Sequence, residues 1–361
     1  MTTIRCPSSV VVCAALTSVG LGQQHLVVPS SCETSEGMGQ FHVAGVGQDV
    51  RQQILVGASH LTGLVGRSIS ALEFRRNGDA TAFGGGVANI TMSLSITGLQ
   101  PLQCSQSFAA NVGPTPVQVF SGQVAIPASS GIGTGPASWS ANQVVRIGFS
   151  TPFAYTGGTL CVEIVGSPVV GQVAGWWAAD ACAENLSGVT VDLGGGCGPY
   201  GGAQHRWSFV TPRSLLPGAY AQFSAHGTPG WFGVLAIGDG SPIGVPLSIT
   251  GLNAAAGCNI HLASLLGLEV VQFPAAASAD DSAFGTRGVV ELKLPGTTAA
   301  FGIHLATQWV DLATMSTSNA IDWTIAQSVP TIDMAVVDGH PLEPVGDVSV
   351  RRAHVLRFEH D

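Results

Sequence analysis

An all-β fold, two β-sandwich domains of jelly-roll-like or immunoglobulin-like type in tandem, is predicted by three features of the sequence. Glycine (48 residues) and proline (20 residues) interrupt the chain at short intervals. In a helix interior these residues cost about 1 and 3 kcal/mol relative to alanine, so long helices are disfavoured. Charged residues make up only 10% of the chain, against about 25% in ordinary soluble domains. The apolar residues fall in short alternating runs separated by Gly, Pro and Asn, the pattern of half-buried strands joined by tight turns. A chain of 361 residues also exceeds the usual reach of one hydrophobic core, which favours two domains.

The first 22 residues read as a signal peptide: Arg5, an apolar run from Val10 to Leu21, and small residues at Gly20 and Gly22, with cleavage expected before Gln23. Lipidation at Cys13 is disfavoured because Val12, not a small residue, precedes it. The mature chain is therefore expected to be secreted or held at the cell surface. It keeps Cys32, Cys104, Cys161, Cys182, Cys197 and Cys258. In an oxidising compartment an even set of cysteines reads as disulfides, but spacing leaves their pairing open. No C-x-x-C pair favours a metal instead.

From 23 to 193 the expectation is an N-terminal sandwich, with strands at Ile69 to Phe74, Val87 to Ile96, Val117 to Phe120, Val144 to Phe149 and Leu160 to Val165. In the longest run Ile90, Met92, Leu94 and Ile96 form one apolar face. A glycine-rich stretch around Gly194-Gly195-Gly196 marks the junction. The second sandwich, 194 to 329, is expected to use Ala219 to Phe223, Trp231 to Ile237, Pro246 to Ile249, Val289 to Leu294, Gly302 to Val310 and Ala320 to Ile325. Residues 330 to 361 read as a C-terminal tail or a hairpin turning at Asp338-Gly339. Ser-Ile-Thr-Gly-Leu recurs at 95 to 99 and 248 to 252, but no longer repeat accompanies it.

Two stretches carry a family resemblance. The first runs from Cys32-Glu33-Thr34-Ser35-Glu36-Gly37 through Gln52-Gln53-Ile54-Leu55, Ile69 to Arg76, Asn89 to Ser95 and Ser107 to Asn111, and ends at Thr151 to Tyr155. The second runs from Gly196-Cys197 to Gly257-Cys258-Asn259-Ile260, then Leu292 to Pro295, Gln308 to Asp311 and Ser318 to Ile321. Together they resemble uncharacterised secreted two-domain β-sandwich proteins of planctomycete-type bacteria. The resemblance implies the fold and a disulfide between Cys197 and Cys258, and it supplies no active site. Met38 and the segment 330 to 361 depart from the pattern.

Chemistry leaves fewer marks. A net charge of −9 without a basic cluster argues against nucleic acid, and no apolar run after the N-terminus is long enough to span a membrane. The ten histidines form no H-E-x-x-H or H-x-H motif; His205, His226, His261 and His304 fall in or beside expected strands and read as structural. Asp192, Asp239, Asp280 and Asp281 are candidates for a calcium site, but their spacing matches no known loop, and solvated turn carboxylates are the better reading. Gly238-Asp239-Gly240 with Gly244 leads to prolines, not a helix, and reads as a turn. No nucleophile elbow is present and nothing pairs two carboxylates across a cleft. A cofactor is not expected.

Aromatic residues carry the remaining signal. In a strand, Trp176 and Trp177 would point to opposite faces, one outward. Trp139, Tyr155 and Tyr200 lie near turns and are further candidates for a platform that stacks on sugar rings. The preferred expectation is thus a non-enzymatic extracellular or cell-surface protein acting in structure or adhesion, through self-assembly at an unpaired edge or by a strand donated from residues 346 to 360. Polysaccharide binding by exposed aromatics is the alternative, and a hydrolase with an unfamiliar site is third.

Overall fold

A computed structural model describes residues 23–133, 135–171, 178–201, 206–250, 256–276 and 284–361. Strands dominate, and among the described residues the one α-helix is the single turn Phe108–Asn111. All strand pairing is antiparallel among the described residues. The expected signal peptide, 1–22, lies outside the described residues.

Two sheets face each other around the larger core. One has the order Gln24–Val28, Leu356–His360, Ser68–Arg75, Val144–Ala154. The other runs Asp347–Ser349, Met334–Gly339, Val50–Val56, Thr159–Pro168, Gly86–Thr97, Val117–Ile126. Leu72, Phe74, Ile147 and Phe358 of the first meet Ile54, Met92, Leu94, Val162 and Val336 of the second. The alternation read in Val87 to Ile96 is realised in Gly86–Thr97, where Ile90, Met92 and Leu94 are buried. A three-stranded sheet, Gly39–His42, Ala178–Ala183, Arg352–His354, closes one side.

A second set of sheets is built from residues 189–324. Its main path is Val189–Gly194, Ala320–Thr324, His304–Asp311, Phe232–Gly238, Gly267–Gln272, with Ser316–Thr317 added to His304–Asp311. Facing it is the sheet Ser208–Val210, Tyr220–Gly227, Thr286–Lys293. Phe223, Val290, Leu235, Trp309 and Trp323 fill the space between them. Gly240–Pro246 pairs with Asn259–Leu262 beside this core.

Three local expectations change. Pro246 to Ile249 is not a strand: Pro246 ends Gly240–Pro246, and Leu247–Thr250 is a 3₁₀ turn, in keeping with a proline that removes a ladder donor. Asp338-Gly339 is not a turn. Both residues belong to strand Met334–Gly339, which does form an antiparallel pair with Asp347–Ser349 across a longer loop. Residues 330–361 are not an appended tail: they place Met334–Gly339 beside Val50–Val56, Arg352–His354 beside Ala178–Ala183, and Leu356–His360 between Gln24–Val28 and Ser68–Arg75. The burial of Met334, Val336, Leu356 and Phe358 explains this, because an apolar strand gains about 1.5–3 kcal/mol per large side chain removed from water. Residues 346–360 are therefore committed within the fold and unavailable for donation.

The two sets touch through a shared cluster in which Leu55, Phe108, Ala335 and Val337 meet Leu216, Ala219 and Ala326. Lys293 extends its ammonium from the second set to the carbonyl of Cys104 at 2.8 Å, an oxygen of the first.

Candidate functional site

A polar cleft opens where the two sets of sheets meet. One recess of it, about 520 Å³, is lined by Asp49, Asp338, Asp347 and Arg352 from one side and Gln222 from the other. A neighbouring recess of about 180 Å³ adds Arg213, Tyr220, Glu291 and Arg351. The return of the chain positions these groups: Asp338 is the last residue but one of a strand it inserts, and Asp347 begins the next.

Burial governs the charges here. It raises the Asp338 carboxyl above the usual carboxylate range, with His42 opposing and Asp347 adding to the shift. The imidazole Nε2 of His42 stands 3.4 Å from Asp338 Oδ2. Asp347 is raised as well, by burial first and then by Glu291 and Glu343. Glu291 is held by the side-chain amides of Gln222, at 2.6 Å, and Gln106. Behind Asp338, His354 is fully buried and its pKa falls to about 3, because burial first, and then the charges of His42 and Arg352, disfavour the protonated ring. The cleft is thus a hydrogen-bonding surface of carboxyl, amide and guanidinium groups, suited to polar ligands.

Of the aromatic residues singled out in the sequence, Tyr155, Tyr200 and Trp139 are taken up by the fold. Tyr155 is 1% exposed and donates its hydroxyl hydrogen to the carbonyl of Gly158. Tyr200 is 8% exposed and donates to the carbonyl of His226. Trp139 is half-buried: its indole N–H donates to the Glu33 carbonyl at 3.3 Å, and the guanidiniums of Arg75 and Arg357 lie 5.1 and 4.6 Å from its ring centroid. In each case the ring is used by the fold, since a buried phenol or indole must satisfy its polar end. Trp176 and Trp177 lie outside the described residues.

Among the described residues the exposed aromatics are others: Trp231 at 55%, Phe232 at 45% and Trp207 at 39%. Phe232 starts a strand whose register puts Val234 opposite Val270 and Ala236 opposite Leu268, so these side chains share one face. Leu268 and Val270 are 55% and 63% exposed, and Leu312, bonded through its N–H to the Phe232 carbonyl, is 38% exposed. The opposite face of the same sheet carries Leu235 and Trp309 into the core. The signal was present in the sequence: Phe232 to Ile237 is apolar at both alternating sets of positions, the pattern of a strand with two faces to cover.

Cys197 and Cys258 form a disulfide, with Cα atoms 5.0 Å apart. Cys32, Cys104, Cys161 and Cys182, expected in bridges of open pairing, are thiols. Cys32 and Cys182 are nevertheless hydrogen-bonded neighbours, and Cys104 and Cys161 share one apolar cluster. The calcium candidates bind the fold instead of converging: Asp192 accepts from Gly194 N and the Asn319 amide, Asp239 from the Ser264 hydroxyl. Asp280, Asp281 and His205 lie outside the described residues. Among the described residues no group of three His, Cys, Asp or Glu side chains is placed to hold a metal ion, and no helix is long and apolar enough to cross a membrane. Comparison with known protein families and with curated proteins finds no match.

Proposed function

We propose that this chain is an exported, non-enzymatic structural or adhesive protein that associates with further copies of itself through the outer face and free edge of the Phe232–Gly238/Gly267–Gln272 sheet. The observation that carries this reading is the exposed apolar row Phe232, Leu268, Val270 and Leu312, which ends at a strand paired on one side only among the described residues. An unpaired edge offers a row of backbone donors and acceptors to another strand. Antiparallel pairing of Gly267–Gln272 with its own copy about a two-fold axis would continue the sheet and set the two apolar rows side by side. Glu269 is the one charged residue on that edge strand. Light scattering of residues 23–361 over a range of concentrations tests the reading. The expected result is a concentration-dependent dimer or polymer that reverts to monomer in Val270→Lys. A monomer at every concentration would overturn it.

A second reading, binding of extracellular polysaccharide, rests on the adjacent exposed rings of Trp231 and Phe232, since such rings stack on sugar faces. Saturable binding to a polysaccharide panel, lost in Trp231→Ala, would favour it.

A further inference from the structure

Among the described residues, arginine more often than not pairs with a carboxylate side chain. Arg51 pairs with Glu163, Arg75 with Asp180, Arg76 with Asp79, Arg146 with Glu359, Arg206 with Asp311 and Arg357 with Glu73. In a protein of net charge −9 partners are plentiful. Three arginines break the rule together. Arg213, Arg351 and Arg352 line one recess of about 200 Å³ at the mouth of the cleft, with Gly39, Glu184 and Asn185. Among the described residues none of the three has a carboxylate oxygen within 4.0 Å. Arg351 spends one N–H on the Glu184 carbonyl, at 3.4 Å, and Arg352 lies over the Phe41 ring at 4.2 Å. The Glu184 carboxylate is engaged by the backbone N–H and hydroxyl of Thr331.

These guanidiniums feel one another. Burial lowers the pKa of Arg351 most, and the charges of Arg213 and Arg352 lower it further. Arg352 is lowered by burial and by Arg213 and is supported in its charge by Asp338. The convergence is also built by the tertiary fold, since Arg213 comes from the 3₁₀ turn Pro212–Ser214 of the second set of sheets and the other two from the returning C-terminal segment. Three like charges brought together, with Asp338 offsetting only that of Arg352, repel one another, and the arrangement becomes more favourable when an anion enters between them. The planar fork of guanidinium donors matches an oxyanion bearing several acceptor oxygens.

We propose that Arg213, Arg351 and Arg352 form a binding site for a sulfate or phosphate group, either as the free anion or carried on a polymer. This site lies apart from the apolar sheet face and stands or falls independently of self-association. Arg213 is exposed and its side chain makes no hydrogen bond among the described residues, so Arg213→Gln removes one arm without undoing structure.

Calorimetric titration of residues 23–361 with sodium sulfate and with sodium phosphate, against sodium chloride at matched ionic strength, provides the test. The expected result is saturable binding of sulfate or phosphate but not chloride, weakened about tenfold in Arg213→Gln, the scale of one lost charge-assisted hydrogen bond. A parallel titration with heparin, a sulfated polysaccharide, separates the sources. Tighter binding per sulfate than the inorganic ion shows assigns the site to a polymer, and equal binding assigns it to the free anion. Absence of saturable binding for all three probes, or binding unchanged in Arg213→Gln, would overturn the proposal.

Discussion

His354 Nε2 and Gln52 Oε1 meet at 2.8 Å in a buried hydrogen bond that joins residues 302 positions apart. The Gln52 oxygen accepts, which assigns the ring proton to Nε2. The imidazole packs on Phe41 and edge-on to Phe74, with ring centroids 4.9 and 5.0 Å away. His42 and Arg352 face the same ring and oppose its protonation. This contact locks the returning C-terminal segment onto the first set of sheets.

A pH dependence follows from that burial. The folded pKa of His354 is lowered to about 3 from 6.5, so on acidification the unfolded chain takes up the proton first. The stability that comes from a neutral His354 is therefore intact above about pH 6.5 and is lost as pH falls toward the folded value, at about 1.4 kcal/mol per unit. Asp338, whose folded pKa is raised, acts with the opposite sign in the upper acid range, so the difference between variants is the informative quantity. Denaturant unfolding at pH 7, 6, 5 and 4 should show His354→Gln less stable than the parent at pH 7 and gaining on it by about 1.4 kcal/mol per unit below pH 6. Parallel profiles would refute this.

Truncation before residue 330 should abolish folding of the first set of sheets. It removes both Met334–Gly339 and Asp347–Ser349 from beside Val50–Val56, and Leu356–His360 from between Gln24–Val28 and Ser68–Arg75. Met334, Val336, Leu356 and Phe358 leave the core with them. At about 2 kcal/mol for each side chain, their loss rivals the whole stability of an ordinary domain, about 5–15 kcal/mol. Residues 23–329 should show no cooperative thermal transition for that unit by circular dichroism or calorimetry. A sharp transition matching that of residues 23–361 would contradict the strand assignment.

The four thiols should differ in reactivity. A hydrogen bond from Cys182 lowers Cys32 to about 7, while the same interaction raises Cys182. Burial pushes Cys104 and Cys161 up to about 12. Because the thiolate is the nucleophile and Cys182 is the most exposed of the four, iodoacetamide near pH 7.5 should label the Cys32–Cys182 pair first and leave Cys104 and Cys161 untouched until the chain unfolds. Oxidised glutathione should close a Cys32–Cys182 disulfide: the two thiols give up two protons and two electrons, and the glutathione disulfide is reduced to two thiols. Peptide mass mapping reads both results. Preferential labelling of Cys104, or a glutathione-driven bridge from Cys32 to any cysteine but Cys182, would defeat the expectation.

Part of the site was legible in the sequence and part was not. The apolar face of Ile90, Met92 and Leu94 could be read because strand alternation is local, with period two and no need of a partner. Trp231 and Phe232 could be placed at a strand start, but their exposure depends on what packs against the sheet, which sequence does not encode locally. Tyr155 and Tyr200 sit beside turns and still reach buried carbonyl acceptors, so proximity to a turn was a poor guide to exposure. The Arg213, Arg351 and Arg352 cluster was invisible because Arg213 lies on a different element, far in the chain from the adjacent Arg351 and Arg352.

The sequence by itself determined the all-β character, since glycine, proline and alternating apolar residues act over a few positions and suppress long helices. The strand positions from Ile69 to Phe74 and from Val289 to Leu294 belong to that local information. Only the tertiary structure decided that residues 330–361 complete the first set of sheets, that the cleft places Asp338 and Asp347 opposite Gln222 and Glu291, and that three arginines converge at its mouth. The reason is physical. Pairing partners in an antiparallel sheet are chosen by burial and register across the whole chain, and nothing in residues 330 to 361 alone specifies the strands between which they insert.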